Sequence, residues 1–487
     1  MDQILEKIVG WLWGLPLIFT VLFVGAYFTV GSKLFQFGYL PHIFKETFGK
    51  LFSKKSKAEE TKGLLTPFQA VSTAIGGSVG VGNIGGVATA IAIGGPGAVF
   101  WIWITALLGM ITKTVEVTLS VYYRKTDEQG NPYGGPTYYI ERGLGEEKRF
   151  KFWKVPAILF GAGIFTTFFI TLQNYTISEA LSSSFDMGMI LSSFIYLVLI
   201  YLMILGGIKR IGEIAGRLVP FMCIFYLVAG LYIIFKNYSE IIPVFGLIFE
   251  SAFSGTAAVG GFAGAAIAQV IRMGVARAVY SNEAGWGTSP MIHSTAKTSH
   301  PVKQGMWGAV EVFIDTIIVC SITAFTIIIT GAWTLDLSGA ELTLSAFEIG
   351  IGEFGRYIIT ISVFLFGLTT STGWYIYYEI LLRHMFGDDR KVTLKYKVLS
   401  TFKWLYPIPG FLMVVYAVYY NMPGQAVWYF ADITTAIPTF VNLIVILILS
   451  GKFFELLRDY KARYLNIGQI DPNFSVFYED KLKKEKK

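Results

Sequence analysis

Cysteine, histidine and charge are all scarce in this chain. Two cysteines, Cys223 and Cys320, stand in 487 residues. Two cannot build a disulfide framework, and each lies within an apolar run, where a buried free thiol is the expected state. The four histidines, His42, His293, His300 and His384, show no His-x-x-x-His or Glu-x-x-His spacing, so no zinc site is expected. Charged residues make up 15%, against roughly 25% in soluble domains. That excludes an ordinary soluble enzyme and a disordered chain alike. No nucleophile elbow, P-loop or paired-carboxylate motif occurs, so the chain is not expected to be an enzyme. Gly80, Gly82 and Gly85 do form a G-x-G-x-x-G. The strand and βαβ unit of a dinucleotide site are missing around it, and the next acid, Glu116, falls in the following apolar run.

What the chain has instead is apolar length. Residues AVILMFWYC make up 54% and mean hydropathy is +0.56. A bilayer-crossing helix needs about 20 mostly apolar residues. Eleven such runs occur, at 6–31, 65–93, 96–123, 155–183, 187–207, 213–235, 250–283, 305–332, 355–382, 398–420 and 425–450. The reading is an all-α polytopic membrane protein with 11 transmembrane helices. The first run is not a signal peptide, because Asp2 and Glu6 flank Lys7 where a basic region belongs.

The net charge of +7 follows orientation. With the N-terminus outside and the C-terminus cytoplasmic, the outer loops hold only Lys7, Lys236 and Arg356 of 40 Lys and Arg. The loops 32–64 and 124–154 carry clusters of bases, while 333–354 is an acidic outer loop. The reverse orientation breaks the positive-inside rule almost everywhere. The basic balance therefore marks a cell-membrane protein and no nucleic-acid partner. The Lys-rich end, Lys481 to Lys487, reads as a solvated tail available to anionic membrane lipids.

Two runs break helix rules. Six glycines fall between 76 and 86: Gly76, Gly77, Gly80, Gly82, Gly85 and Gly86. Each costs about 1 kcal/mol against Ala in a helix interior. Polar Ser78 and Asn83 lie among them, and Gly94 to Gly97 reads as the turn into the next span. The second cluster, at 254–264, holds Gly255, Gly260, Gly261 and Gly264. Unwound backbone at membrane depth is tolerated only where protein or a cavity satisfies it, and its free N–H and C=O groups bind carboxylates and cations. With the first span set aside, the remaining ten form two sets of five, and an odd number inverts the second set. Each interrupted helix is the first of its set, as at a secondary transporter's midplane site. The expected layout is 1–64, an N-terminal helix and basic loop; 65–242, a first five-helix repeat; 243–450, a second, inverted repeat; and 451–487, a tail.

At these residues the sequence resembles the alanine/glycine:cation symporter family. The matching stretches are GVGNIGGVATAIAIGGPGAVFWIW (80–103), GMITKTVE (109–116), GGPTYYIERGL (134–144), AAVGGFAGAAIAQVIRMGVARAVYSNEAGWGTSP (257–290), TGW (372–374) and ADITTAIP (431–438). The resemblance implies a leucine-transporter-type fold, with five-plus-five inverted repeats after one extra N-terminal helix. It also implies symport of a small neutral amino acid, alanine or glycine, with Na⁺ as coupling ion in preference to H⁺. In that fold the turn Gly80, Val81, Gly82 and Asn83, next to Ser78, holds the substrate carboxylate. Carbonyls of Gly76 and Val79 and hydroxyls of Thr369 and Thr370 form the sodium site. Gln173 contributes an amide to the substrate, and Gly260, Gly261, Phe262 and Trp374 close the side-chain pocket. The chain departs from the family pattern at Val81, at Tyr175, and at Thr439, with Asn442 nearby. A sodium-independent exchanger and a channel are the other transport classes. The first would show counterflow without accumulation, and the second needs a continuous polar pore.

Ionisable residues inside spans are functional by default. Lys113 and Glu116, three apart, share a helix face and are expected to pair. Glu311 and Asp315 share a face and, with Arg272 and Arg277, are expected to form a gate or structural network. Glu283 is expected to bond loop backbone or bases.

Overall fold

The computed structural model describes residues 2–51, 63–169, 172–254, 263–387, 392–422 and 424–485. The fold is helical, with one antiparallel ribbon, Lys125–Thr126 against Pro132–Tyr133. Helices α1 (Asp2–Leu12) and α2 (Leu15–Gly31) form the N-terminal run and three short helices follow to Leu51. Then come α3 (Pro67–Ser78), α4 (Val87–Gly94), α5 (Ala98–Tyr122), α6 (Lys154–Phe169), α7 (Leu172–Phe185), α8 (Met189–Ile204) and α9 (Gly207–Lys236). The second half holds α10 (Ile241–Ser254), α11 (Ala263–Asn282), α12 (Ser289–Ser294), α13 (Pro301–Val312), α14 (Ser321–Ile329), α15 (Gly339–Ile351) and α16 (Glu353–Met385). It ends with α17 (Val392–Leu405), α18 (Ile408–Tyr419), α19 (Gly424–Ile448), α20 (Ser450–Leu465) and α21 (Tyr478–Glu485).

Among the described residues, six helical stretches are long and apolar enough to cross a membrane, or eight when two bent pairs each count as one span. The outer faces are apolar too. On α9, Phe221, Ile224, Val228 and Phe235 are all exposed, at helical spacing along one face. Large apolar side chains in a continuous stripe belong against lipid. The chain is a multi-pass membrane protein.

Local signals set the ends of the site-bearing helices. Thr66 and Gln69 form a capping box at the start of α3, with Gln69 N–H donating to Thr66 Oγ1 at 3.2 Å and Thr66 N–H to Gln69 Oε1 at 3.0 Å. Pro67 follows at the first helical turn, where its missing N–H costs nothing. The helix stops at Ser78, because Val79 turns to ψ 98°. A π-helical turn, Gly82–Gly86, restarts it, and the two halves meet at 47°. The interruption expected from the glycines thus falls at 79–81. The expected turn at 94–97 separates α4 from α5.

Two expectations change, and a third falls mostly on residues that are not described. The seventh run starts earlier than 250: α10 begins at Ile241 and α11 at Ala263, so the preceding loop shrinks to a few residues. Of the second glycine cluster, Gly255, Gly260 and Gly261, with Phe262, lie outside the described residues, while Gly264 falls in α11. The acidic loop 333–354 contains a helix, α15, held by Arg356, which pairs with Glu341 at 2.8 Å and Glu348 at 3.0 Å. Thr343 on this helix donates to the Ile84 carbonyl at 3.0 Å, so α15 covers the π-helical turn.

The tail does not float free. The chain bends by 60° between α19 and α20, and α21 returns to the end of α5. Tyr478 is buried against Tyr122 and Tyr123. Glu479 accepts from Thr126 N–H and Oγ1, each at 2.8 Å, and Lys481 pairs with Glu147 at 2.9 Å. Burial raises the Glu147 carboxyl, but bonds from Tyr123, Lys481 and Lys452 outweigh it and hold the group below its ordinary value. Bases in the tail that pattern alone reads as solvated are partly spent on this docking.

Candidate functional site

The break in the second span lies against α16. Gly76 and Gly80 face that helix, beside the backbone contact of Gly77 with Gly373. A Cβ on Gly80 would meet Thr370 Oγ1 at 2.3 Å, and one on Gly76 would meet Thr369 Cβ at 3.1 Å. Only glycine lets the two backbones approach this far. Thr370 Oγ1 shares its hydrogen between the carbonyls of Gly76, at 3.1 Å, and Phe366, at 2.9 Å. Thr369 donates back to Phe366 O at 2.9 Å. Both hydroxyl oxygens keep acceptor capacity. Val79, fully buried, is the residue at which the helix stops. Carbonyl and hydroxyl oxygens without a formal charge suit a hard monovalent cation.

Asn83 organises the other side of the break. Its Oδ1 accepts the Gly80 N–H at 2.8 Å, so one N–H expected to face a carboxylate is capped within the chain. Its Nδ2 donates to Asp315 Oδ1 at 2.7 Å and to the Asp315 carbonyl at 3.1 Å. Asp315 Oδ2 accepts from Ser281 at 2.8 Å and Thr316 at 2.7 Å. Asp315 lies in a π-helical turn, Phe313–Cys320, between α13 and α14. Ser281 lies in the last turn of α11. One buried carboxylate therefore ties the break in the second span to α11.

The remaining expected residues are spread around this centre. Ser78 is buried and bonds the Ile75 carbonyl at 3.4 Å. Val81 is buried, and Gly82 lies against Tyr280 and Ser281. Trp374 is buried against Trp286, with centroids 5.0 Å apart, and against Tyr377 at 5.4 Å. Gln173 is half-buried on α7, beside buried Asn174 and Tyr175; among the described residues no hydrogen bond joins it to the break. The sequence reading missed Asp315 as the partner of Asn83, and Ser281 and Thr316 as donors to that carboxylate. The signal available was an acid inside a span, which marks importance but not address.

The charged residues pair differently from expectation. Lys113 lies 3.6 Å from Glu311 and bonds Ser289 at 2.8 Å, with no ion pair to Glu116. Glu116 instead accepts from Asn442, which also donates to the Gly285 carbonyl at 2.9 Å. Helix-face spacing makes a pair possible, but facing helices decide which one forms. Nor do Arg272, Arg277, Glu311 and Asp315 make one network. Arg277 pairs with Asp432 of the ADITTAIP stretch, and Arg272 bonds Gln269. Glu283 accepts from the hydroxyls of Thr288, at 2.7 Å, and Tyr377, at 2.9 Å, rather than from loop backbone or a base.

A broken apolar helix with oxygens clustered at the break is the geometry of a transporter core. The model of the sodium:alanine symporter family matches residues 1–475. The chain belongs to that family. Among curated relatives, the sodium/alanine symporter AgcS of Methanococcus maripaludis is 36% identical over 473 residues, covering 95% of this chain and 99% of its own. The probable sodium/glutamine symporter GlnT of Bacillus subtilis is 36% identical over 492 residues, covering 99% and 95%. The transporter YflA of Bacillus subtilis is 38% identical over 461 residues, covering 94% and 93%. Among solved structures, MhsT in complex with L-phenylalanine aligns with TM-score 0.50 at 13% identity, over 80% of this chain and 99% of MhsT. That likeness carries the fold alone, which is of the leucine-transporter type. This member of the symporter family is a transporter and not an enzyme.

Proposed function

We propose that this protein is a Na⁺-coupled symporter of a small neutral amino acid, alanine or glycine, working by alternating access in the cell membrane. The observation that carries the reading is the meeting of Thr370 Oγ1 with the Gly76 carbonyl, 3.1 Å apart, at the break between α3 and the π-helical turn. Gly76, Val79, Thr369 and Thr370 would supply the oxygens for Na⁺. The substrate carboxylate would take the N–H groups of the turn formed by Gly80, Val81 and Gly82, with Ser78 beside it. Asn83 would give up the Gly80 N–H as the carboxylate arrives. Gln173 would hold the carboxylate from the opposite helix, and Gly260, Gly261, Phe262 and Trp374 would bound the side chain. The names of the relatives AgcS, a sodium/alanine symporter, and GlnT, a probable sodium/glutamine symporter, favour the neutral class.

Coupling follows if substrate and ion both stabilise the same unwound segment, since each then raises the other's affinity by the same factor. The two sets of five spans, 65–242 and 243–450, would rock about this centre after the extra N-terminal helix. The positive-inside rule puts the N-terminus outside and the basic loops and tail in the cytoplasm. Purified protein in liposomes should accumulate alanine or glycine when a Na⁺ gradient points inward. Uptake indifferent to Na⁺, with counterflow alone, would make it an exchanger and overturn the coupling.

A further inference from the structure

The last helix of the chain seats itself across both ends of one segment. Segment 124–147 joins α5 to α6 and holds the ribbon and a π-helical turn, Ile140–Glu147. Helix α21, with the residue before it, touches both ends. At the first, Arg124 lies 4.9 Å from the centre of the Phe477 ring, and Thr126 donates to Glu479 through its N–H and its hydroxyl, each at 2.8 Å. At the second, Arg142 lies 3.7 Å from Glu479 and 5.6 Å from the centre of the Tyr478 ring, and Lys481 pairs with Glu147 at 2.9 Å. Tyr478 is the buried anchor, its ring centroid 5.3 Å from that of Tyr123.

The segment fastened in this way bridges the two helices that meet at the break. On one side, Arg124 donates to the carbonyls of Ser294, at 3.2 Å, and Ala296, at 2.8 Å. That run pairs with the residues leading into α3: the Leu64 N–H donates to Thr295 O and the Lys297 N–H to Leu65 O, each at 2.8 Å. On the other side lies the end of α16, where Arg383 is 3.5 Å from Asp127 and His384 Nε2 is 2.9 Å from Glu141. The entry of α3 and the end of α16 are thus held to one segment, and α21 holds that segment at both ends. Three features make α21 releasable. It has eight residues, too few to stay helical in water alone, so seating and folding are one event. Residues 466–473, which tether it to α20, are all exposed. The side chains of Glu479 and Lys481 keep 28% and 35% exposure, so their ion pairs contribute little and the grip rests mainly on burying Tyr478.

We propose, resting on the alternating-access reading, that α21 is an autoinhibitory latch. Seated, it cross-links the two ends of segment 124–147 and keeps the entry of α3 and the end of α16 together. Released, it frees the segment to shear, and α3 parts from α16 at this end of the molecule. The latch shifts the balance between closed and open forms without touching ion or substrate. Removing it does not dismantle the seat. Lys452 of α20 also pairs with Glu147, at 3.1 Å, and the Tyr123 hydroxyl donates to the same carboxylate at 2.5 Å.

The test uses the full chain, in detergent micelles for hydrogen exchange and in liposomes for uptake. Tyr478→Ala removes the anchor and Tyr478→Phe keeps its ring. Glu479→Lys, which sets a cation against Arg142, releases the helix by a second route if Tyr478→Ala does not fold. Exchange in 478–485 should rise by at least about tenfold in both release variants, and exchange in 64–72, at the entry of α3, should rise with it. Tyr478→Phe should match the native protein in both regions. Initial alanine uptake at saturating Na⁺ should rise by at least about threefold in the released proteins. Three results overturn the latch: no rise in 478–485 in either variant, a rise there with 64–72 unchanged, or uptake no faster than native once α21 is released. If the native protein itself takes up no alanine, the symport reading fails, and exchange in 64–72 alone decides the latch.

Discussion

The Asn83 amide donates to the Asp315 carboxylate at 2.7 Å, across two spans that lie 232 residues apart in sequence. Through the Oδ1 of the same side chain, the carboxylate reaches the Gly80 N–H at the helix break. Asp315 thereby sets the position of the unwound segment without belonging to it. A charge-assisted bond of this kind is worth about 1.5–3 kcal/mol, and removing the acceptor strands its donors. Asp315→Ala should therefore reduce initial uptake of alanine by at least about tenfold. Asp315→Asn, which keeps one acceptor oxygen, should retain more. Equal losses in the two variants would show that the acceptor geometry is irrelevant.

Thr370 offers a sharper separation of roles. If its hydroxyl serves the ion, Thr370→Ala should raise the half-saturating Na⁺ concentration by roughly tenfold, the equivalent of about 1.4 kcal/mol. Thr370→Ser should restore it, and discrimination between alanine and glycine should change less. Uptake measured against Na⁺ in liposomes decides this; altered discrimination with unchanged Na⁺ dependence would contradict the assignment.

Gly80→Ala tests the close approach of the two helices. The new methyl would sit 2.3 Å from Thr370 Oγ1, so helix α16 or the break must move. Transport should be abolished while the protein remains extractable and monodisperse by size-exclusion chromatography. Wild-type uptake in this variant would mean that the close packing is dispensable.

The buried pair Arg277–Asp432 fastens α11 to α19. Breaking such a pair by removing one partner costs about 3–5 kcal/mol, whereas replacing both with apolar groups is often neutral. Asp432→Leu should lower the thermal midpoint clearly, and the double variant Arg277→Leu/Asp432→Leu should recover much of it. A scanning thermal melt in detergent is sufficient, and an additive double variant would refute the pairing.

Acid should loosen the docking of α20. His300 lies outside the spans and its pKa is held below the ordinary 6.5, because burial disfavours the charged ring more than Asp459 favours it. The folded chain binds fewer protons than the unfolded one once pH falls below that ordinary value, so stability declines on acidification through this window. Protonation at Nδ1 also displaces the Val302 N–H that caps α13. Hydrogen exchange in 450–465 and at the start of α13 should be faster at pH 5 than at pH 7. His300→Gln should flatten that difference, and an unchanged pH dependence in the variant would remove His300 as its cause.

Much of the architecture was legible without coordinates, because a bilayer punishes unsatisfied backbone and unburied charge so heavily. Apolar length marked the helices, and the glycine density at 76–86 marked a break that falls at 79–81. The spacing of Lys113 and Glu116 was also legible, and it misled. A shared helix face says which residues look the same way, while the partner arrives from another helix. Glu311 reached Lys113 in that way, and Asn442 reached Glu116. The lysines of the tail read as solvated for the same reason: sequence shows charge but not the Glu147 that meets it.

By itself the sequence determined that this chain enters a membrane, where its helices run and where one of them fails, since those follow from local hydropathy and backbone cost. Only the tertiary structure decided that Asn83 caps Gly80 from within, that Asp315 links Asn83 to Ser281 on α11, and that Lys113 meets Glu311 rather than Glu116. Those are meetings between side chains far apart in sequence, fixed by how the helices pack, and no local pattern encodes them.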